Sequence, residues 1–246
     1  MKIMSKCQKW LYLPAYKPMT PRRIMLARAE KLSKAVLAAH KSHMPGGGSF
    51  IFSLLGNSSG FLVKDVPNSV HVPTSPEETI EVLDDVSRMT KLPEKIKAAD
   101  LGSGLGSFAC SLSLYLDHIK REDFHVTGFE ISNILRPEAE KIAKKHGIKN
   151  VSFINKDFTK MTRQDFNEFN FIYAYKPFNL NFGLVMRDVL PRIAPGTMIL
   201  TRLCGDIGIL KASSLFTPVF NPLFAKSQEE YTLYIRTDKE VPQGAK

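Results

Sequence analysis

The chain has 246 residues and a net charge of +10, long enough for one large α/β domain or one domain with an extension. No run approaches the ~18 apolar residues of a membrane span, so no transmembrane segment is expected. Its three cysteines, Cys7, Cys110 and Cys204, are far apart. That spacing excludes a disulfide scaffold and an ordinary zinc site, and points to a reducing compartment, here the cytoplasm.

Charge is concentrated at the start. Ten basic residues and one acid, Glu30, precede Pro45, so +9 of the net +10 lies there. Such asymmetry suggests an anionic partner for this arm: nucleic acid, an anionic membrane or an acidic protein surface. Residues 1–20, with Trp10, Tyr12, Tyr16, Pro14 and Pro18, read as an irregular arm. Thr20-Pro21 opens a helix that runs to His40. Met25, Ala29, Leu32, Val36 and Ala39 form one stripe, and Arg28, Lys31 and Lys34 lie mostly off it. The stripe fits a helix packed on the domain with a solvated basic face. A surface for RNA, membrane or a partner is the alternative, and an organelle presequence a third.

Residues 44–60 hold a triple glycine and an Asn-Ser-Ser-Gly turn around an apolar run. They form either a connection or a lid over a ligand site. The expected division is therefore 1–60, a basic arm and helix, and 61–246, the main domain. Phe61-Leu62-Val63 reads as a short strand. Ser75-Pro76-Glu77-Glu78 starts a helix, with Ser75 as N-cap, Pro76 at the first position and Glu78 closing a capping box.

Residues 96–116 organise the rest of the chain. A short apolar run ends at Asp100, and Gly102, Gly104 and Gly106 precede an apolar helix containing Cys110. Strand, glycine turn and helix make a ligand site at a strand's carboxyl end. Ser107 breaks the G-x-G-x-x-G dinucleotide fingerprint, and no G-K-[ST] comes after it for a P-loop. Cys110 reads as packing. Strands are expected at 124–129, ending at Glu130, then at 150–154, 169–174 and 197–202, with a late antiparallel edge strand at 231–237. Helices are expected at 137–146 and 180–191. Strand–helix alternation gives a doubly wound, mostly parallel sheet. Acids follow successive strands: Glu130, placed for two ribose hydroxyls, and Asp157 beside Phe158. Tyr173-Ala-Tyr175-Lys176-Pro177-Phe178 ends the fourth strand.

The D-x-G-x-G-x-G pattern resembles the first motif of class I S-adenosylmethionine-dependent methyltransferases. That resemblance implies a Rossmann-like seven-strand sheet, here with a basic N-terminal helical extension, and S-adenosyl-L-methionine as cofactor. It implies cofactor contacts at Asp100, Gly102, Ser103, Gly104, Gly106, Glu130, Ile131, Asp157 and Phe158. Asp157 would receive the adenine amino group, and Asp100 mainly shapes the turn. Residues before the Pro76 helix would cover the methionine end, which makes Thr74 and Glu78 candidates, although capping alone also explains them. The Tyr173–Phe178 segment would face the acceptor, and Y-A-Y-K-P-F lacks the paired prolines of the group that methylates exocyclic or amide nitrogens. VPTSPEE, DLGSGLG, GFEIS, KDF and IAPGTMIL resemble the non-SET protein-lysine methyltransferase branch, including enzymes acting on a mitochondrial ATP synthase subunit. Leu105 stands where that branch carries an acid. The implied acceptor is a protein lysine, with RNA, a small molecule, or a non-catalytic binding module as alternatives. Tyr175, ahead of Tyr173, is the candidate acceptor-side residue, its ring able to attract a methylated ammonium. No metal is expected, since a sulfonium methyl needs alignment rather than a generated electrophile.

Overall fold

The computed structural model describes residues 20–42, 61–62, 70–71, 74–175, 187–202, 215–219 and 231–237. α1 (Pro21–Ser42) is followed by a two-strand antiparallel ribbon of β1 (Phe61–Leu62) and β2 (Val70–His71), then α2 (Pro76–Met89). β3 (Ile96–Leu101), α3 (Ser107–His118), β4 (Phe124–Phe129), α4 (Leu135–Lys145), β5 (Val151–Ile154), α5 (Arg163–Phe166) and β6 (Phe171–Tyr175) alternate. β7 (Met198–Arg202), β8 (Phe216–Val219) and β9 (Tyr231–Arg236) complete the chain order.

β3 to β9 make one seven-stranded sheet in the order β5-β4-β3-β6-β7-β9-β8. The pairs from β5 to β7 are parallel, and β9 runs antiparallel to both β7 and β8. Strand order reverses between β3 and β6, and ligands of open α/β sheets bind outside the carboxyl ends at such a switch point. This is the doubly wound sheet that the alternation implies, with the seven strands that the resemblance implies. The late strand, β9, is antiparallel as expected, yet it lies one place inside the edge. The edge is β8, which the sequence reading missed. Its four residues, FTPV, include Pro218, whose missing N–H is tolerated only on an outer strand.

Two apolar layers flank the sheet. On one face α1 to α4 share a core with inward residues of β3, β4, β6, β7 and β9. α1 contributes Met25, Ala29, Leu32, Val36 and His40, all at most 3% exposed, as the stripe implies, with His40 deeper than Ala39. Each fully buried Leu, Val or Met adds roughly 1.5–3 kcal/mol. A division at residue 60 would thus separate segments that share one core. Arg22 and Arg28 reach Asp84 of α2 and Asp117 of α3; such exposed pairs add little. The opposite face holds Phe158, Met161, Phe166, Val189, Leu190 and Ile193.

α4 starts at Leu135, two residues before the expected Pro137. Ser132 Oγ accepts the Ile134 and Leu135 N–H groups (3.2 and 3.0 Å) and so nucleates the earlier turn. Several expectations lie outside the described residues: the arm at 1–19, the glycine-rich 44–60 stretch, Cys7, Cys204, Lys176-Pro177-Phe178, and the 180–191 helix up to residue 186. Residues 187–189 are helical and pass into a 3-10 turn, Leu190–Arg192. No described helix is long and apolar enough to cross a membrane.

Candidate functional site

The glycine turn needs its glycines. Gly102, Gly104 and Gly106 have φ of 75°, 53° and 73°, the left-handed region that side chains disfavour. Gly106 also has no room, because a Cβ there would run into the Phe153 ring and lie 3.1 Å from the Ala139 Cβ. Phe129 O receives both the Gly102 N–H (3.0 Å) and the Ser103 N–H (2.9 Å), which folds the turn against the end of β4. Sequence reasoning missed Gly128, where a Cβ would sit 2.6 Å from Phe153 Cδ1 and 2.7 Å from Ser103 Oγ. Ser103 therefore directs its hydroxyl toward β4 and β5, and only its backbone borders the turn.

Asp100 is 2% exposed, and its Oδ2 accepts the Ala109 N–H at 3.2 Å. That amide is one of the orphan donors of the first turn of α3, so the acid caps the helix from the preceding strand. Burial, aided by the nearby Glu130 charge, pushes its carboxyl up to about 8. Near neutral pH it is mainly protonated, which suits a turn-shaping acid.

Glu130 is 9% exposed with both oxygens held. Oε2 accepts the Gly104 N–H and Oε1 the Ser132 N–H, each at 2.8 Å. The carboxylate thus staples the glycine turn to the start of the next connection with two charge-assisted bonds. Ile131 beside it is an exposed apolar side chain. Asp157 caps the 3-10 turn Phe158–Lys160: its Oδ1 accepts from Thr159 N (3.0 Å) and Thr159 Oγ1 (2.6 Å). Phe158 packs in the core below, so only its backbone can border the rim.

Thr74 ties the start of α2 to the turn. Its carbonyl accepts the Ser107 hydroxyl, and its Oγ1 shares a 3.2 Å hydrogen bond with Tyr173 OH. Tyr173 is 2% exposed and stacks on Phe108, centroids 3.5 Å apart and 6° from parallel. Burial holds its phenol well above the usual value. Tyr173 is therefore a packing residue that fixes Thr74, without access for an acceptor. Tyr175, two residues on, is half-buried. Ser75 caps α2 by accepting the Glu78 N–H, while the Glu78 carboxylate reaches across to Arg202 Nη2 at 3.0 Å. Arg202 lies over the rings of Tyr175 and Tyr231. The sequence reading missed Arg202 and Tyr231. Nothing local flags them, since strand register alone assembles the group.

Among the described residues no cluster of three His, Cys, Asp or Glu could hold a metal. Cys110 is buried, and burial pushes its thiol well up, so it is no nucleophile.

A family model described as a methyltransferase domain matches residues 92–232, more than half of the chain. The fold is similar to that of a Listeria monocytogenes protein assigned as a class I S-adenosylmethionine-dependent methyltransferase, with TM-score 0.57 and 13% identity, covering 89% of this chain and 71% of that one. An RNA methyltransferase from Salinibacter ruber, crystallised with S-adenosyl-L-homocysteine, is 20% identical with TM-score 0.44, over 68% of this chain and 96% of that one. No curated protein matches the sequence. The chain belongs to the methyltransferase domain family and is an S-adenosylmethionine-dependent methyltransferase of the class I, seven-strand fold.

Proposed function

We propose that the chain moves the methyl group of S-adenosylmethionine to an amine, with a protein lysine as acceptor. The observation that carries the cofactor half of this reading is the Glu130 staple. Its two oxygens are fixed at 2.8 Å by Gly104 N–H and Ser132 N–H, beside backbone that no Cβ covers. A carboxylate offers about four acceptor sites. One so held can take two ribose hydroxyls without first being ordered. The residues fit the cofactor on these grounds. Gly102, Ser103, Gly104 and Gly106 would border its methionine and ribose through backbone, with Asp100 holding the turn's shape. Exposed Ile131 would cover one face of the adenine. Asp157 would meet the adenine amino group and the Phe158 N–H the ring. Thr74 would lie at the methionine end, with Tyr173 fixing it.

Bound S-adenosylmethionine supplies a methyl carbon on a sulfonium sulfur, already activated toward in-line attack. The chain's own task is alignment and exclusion of water. Holding the reactants in line accounts for roughly 7–11 kcal/mol of barrier lowering. The acceptor amine must reach the methyl group neutral, its proton released to water, and Tyr175 lies on the acceptor side of the switch point.

The lysine assignment draws its support from the motif resemblance. RNA is the second reading, favoured by Arg23, Lys31 and Lys41, exposed on α1 within the segment that holds most of the net charge. Either acceptor fits a cytoplasmic enzyme with sparse cysteines. Titration calorimetry with S-adenosylmethionine, then transfer of radiolabelled methyl into a fractionated lysate split between protease and RNase, tests the reading. We expect heat of binding and protease-sensitive label that hydrolyses to methyl-lysine. RNase-sensitive label would replace lysine by RNA. Binding without transfer to either would leave a cofactor-binding module, and no heat would overturn the site.

A further inference from the structure

The β6–β7–β9 side of the sheet carries a side-chain row to which the proposed cofactor contacts assign no role. Register sets Tyr175 of β6 beside Arg202 of β7, and Arg202 beside Tyr231 of β9. The guanidinium carbon lies 5.0 Å from the Tyr175 ring centre and 5.2 Å from that of Tyr231. Glu78 of α2 joins from above through Arg202 Nη2. Thr74, four residues before Glu78, links the start of α2 to Ser107, the residue after the glycine turn, and to Tyr173 of β6.

Access to the four groups is unequal. The Arg202 side chain is 12% exposed and that of Glu78 33%. Tyr231 is buried and Tyr175 half-buried. The cation is the floor of the cluster, and its more exposed members are a carboxylate and an aromatic ring. Both attract a cation. An anionic acceptor would meet Glu78 first and has little path to the guanidinium.

We propose that Glu78 and Tyr175 recognise an ammonium-bearing acceptor side chain, and that Arg202 is the positioning residue that holds both. This rests on the methyltransferase reading above and deepens its acceptor class. Arg202 does more than orient. A lone carboxylate would stabilise the ammonium and raise its pKa, keeping the nucleophile protonated. With Arg202 already on Glu78, the pair is neutral before the acceptor enters. The ammonium is then held by a neutral pair and a ring, which raise its pKa less than a lone carboxylate would, so its proton is lost to water more readily.

The test uses the full chain, labelled methyl donor and total lysate protein, with two competitors: Nα-acetyl-Nε-trimethyl-lysine amide and the uncharged Nα-acetyl-norleucine amide. The cationic competitor should suppress labelling of wild type and the uncharged one should not. Glu78→Gln and Tyr175→Leu should each weaken that suppression about tenfold and leave the Kd for S-adenosylmethionine within about threefold, since the proposal gives both residues to the acceptor rather than to the cofactor. Arg202→Met should move the rising limb of the pH–rate profile upward by about one unit, and Arg202→Lys should partly restore it. A uniform loss at all pH values would mark a merely structural role and overturn the positioning assignment. Should Arg202→Met fail to fold, Glu78→Gln, close in shape to the native residue, decides. Equal suppression by both competitors, or unchanged suppression in Glu78→Gln, overturns the proposal while the enzyme reading stands. A fall confined to cofactor affinity would also overturn it and move Glu78 to the cofactor. RNase-sensitive label in wild type overturns the lysine reading itself.

Discussion

On the β3–β4–β5 side of the carboxyl edge, the site is made from backbone and acids set beside it: three left-handed glycines, Asp100 under α3, and Glu130 across the turn. On the β6–β7–β9 side it is made from side chains in a row, Tyr175, Arg202 and Tyr231, closed by Glu78. On the proposed reading, the first kind of site would bind what is common to every reaction of the family. It depends on φ angles and close approach, so few residues can be exchanged. The second kind depends on which side chains register brings together, and can be rebuilt without disturbing the sheet. The difference teaches where to look for cofactor affinity and where for acceptor choice.

That contrast can be broken most severely at Gly106. Gly106→Val forces a branched side chain into the left-handed region and against the Phe153 ring. Strain and overpacking together should cost about 2–5 kcal/mol, read as a fall in the urea midpoint, and should abolish calorimetric binding of the cofactor. Glu130→Ala comes next. It leaves the Gly104 and Ser132 N–H groups without their acceptor, at about 1–3 kcal/mol each, and should lower cofactor affinity about 100-fold with the fold retained. If affinity holds, the cofactor side does not rest on this acid.

Asp100 sharpens the comparison through pH. Its folded carboxyl, near 8, lies above the ordinary value of 3.8 for the unfolded chain. Between those values the folded state holds more protons, so stability falls as pH rises from about 4 to about 8 and levels off beyond. Asp100→Asn should flatten that decline in urea titrations made at several pH values. A decline of equal slope in the variant would assign it to another group. The smallest effect is expected at Tyr173→Phe, which removes only the hydroxyl bond to Thr74. It should cost about 0.5–1.5 kcal/mol and leave transfer nearly intact, whereas Tyr175→Leu should impair acceptor use with little change in stability.

The glycine-turn side, proposed here for the cofactor, was legible in the sequence because its signals are local. The glycines occupy alternate positions, and strand–helix alternation orders β3 to β7. Glu130 follows its strand directly. The proposed acceptor side was not, because residues 78, 175, 202 and 231 meet only through strand register and the packing of α2. Tyr173 and Tyr175 share a face by alternation, but their unequal burial comes from stacking on Phe108, which periodicity does not report. Gly128 looked like an ordinary strand glycine until Phe153 and Ser103 filled the space beside it. β8 is too short and proline-containing to stand out, and Ser132 lies too early to be read as the cap of a helix with Pro137 in its first turn.

The two rims of the sheet are unequal, and Pro218 makes them so. A foreign strand zipping onto β8 would find a donor missing there and lose a rung of its ladder. The far rim, β5, has no proline and carries Ile154 exposed at its end. Unwanted association between copies at high concentration should therefore begin along β5, and a lysine in place of Ile154 is the simplest guard against it.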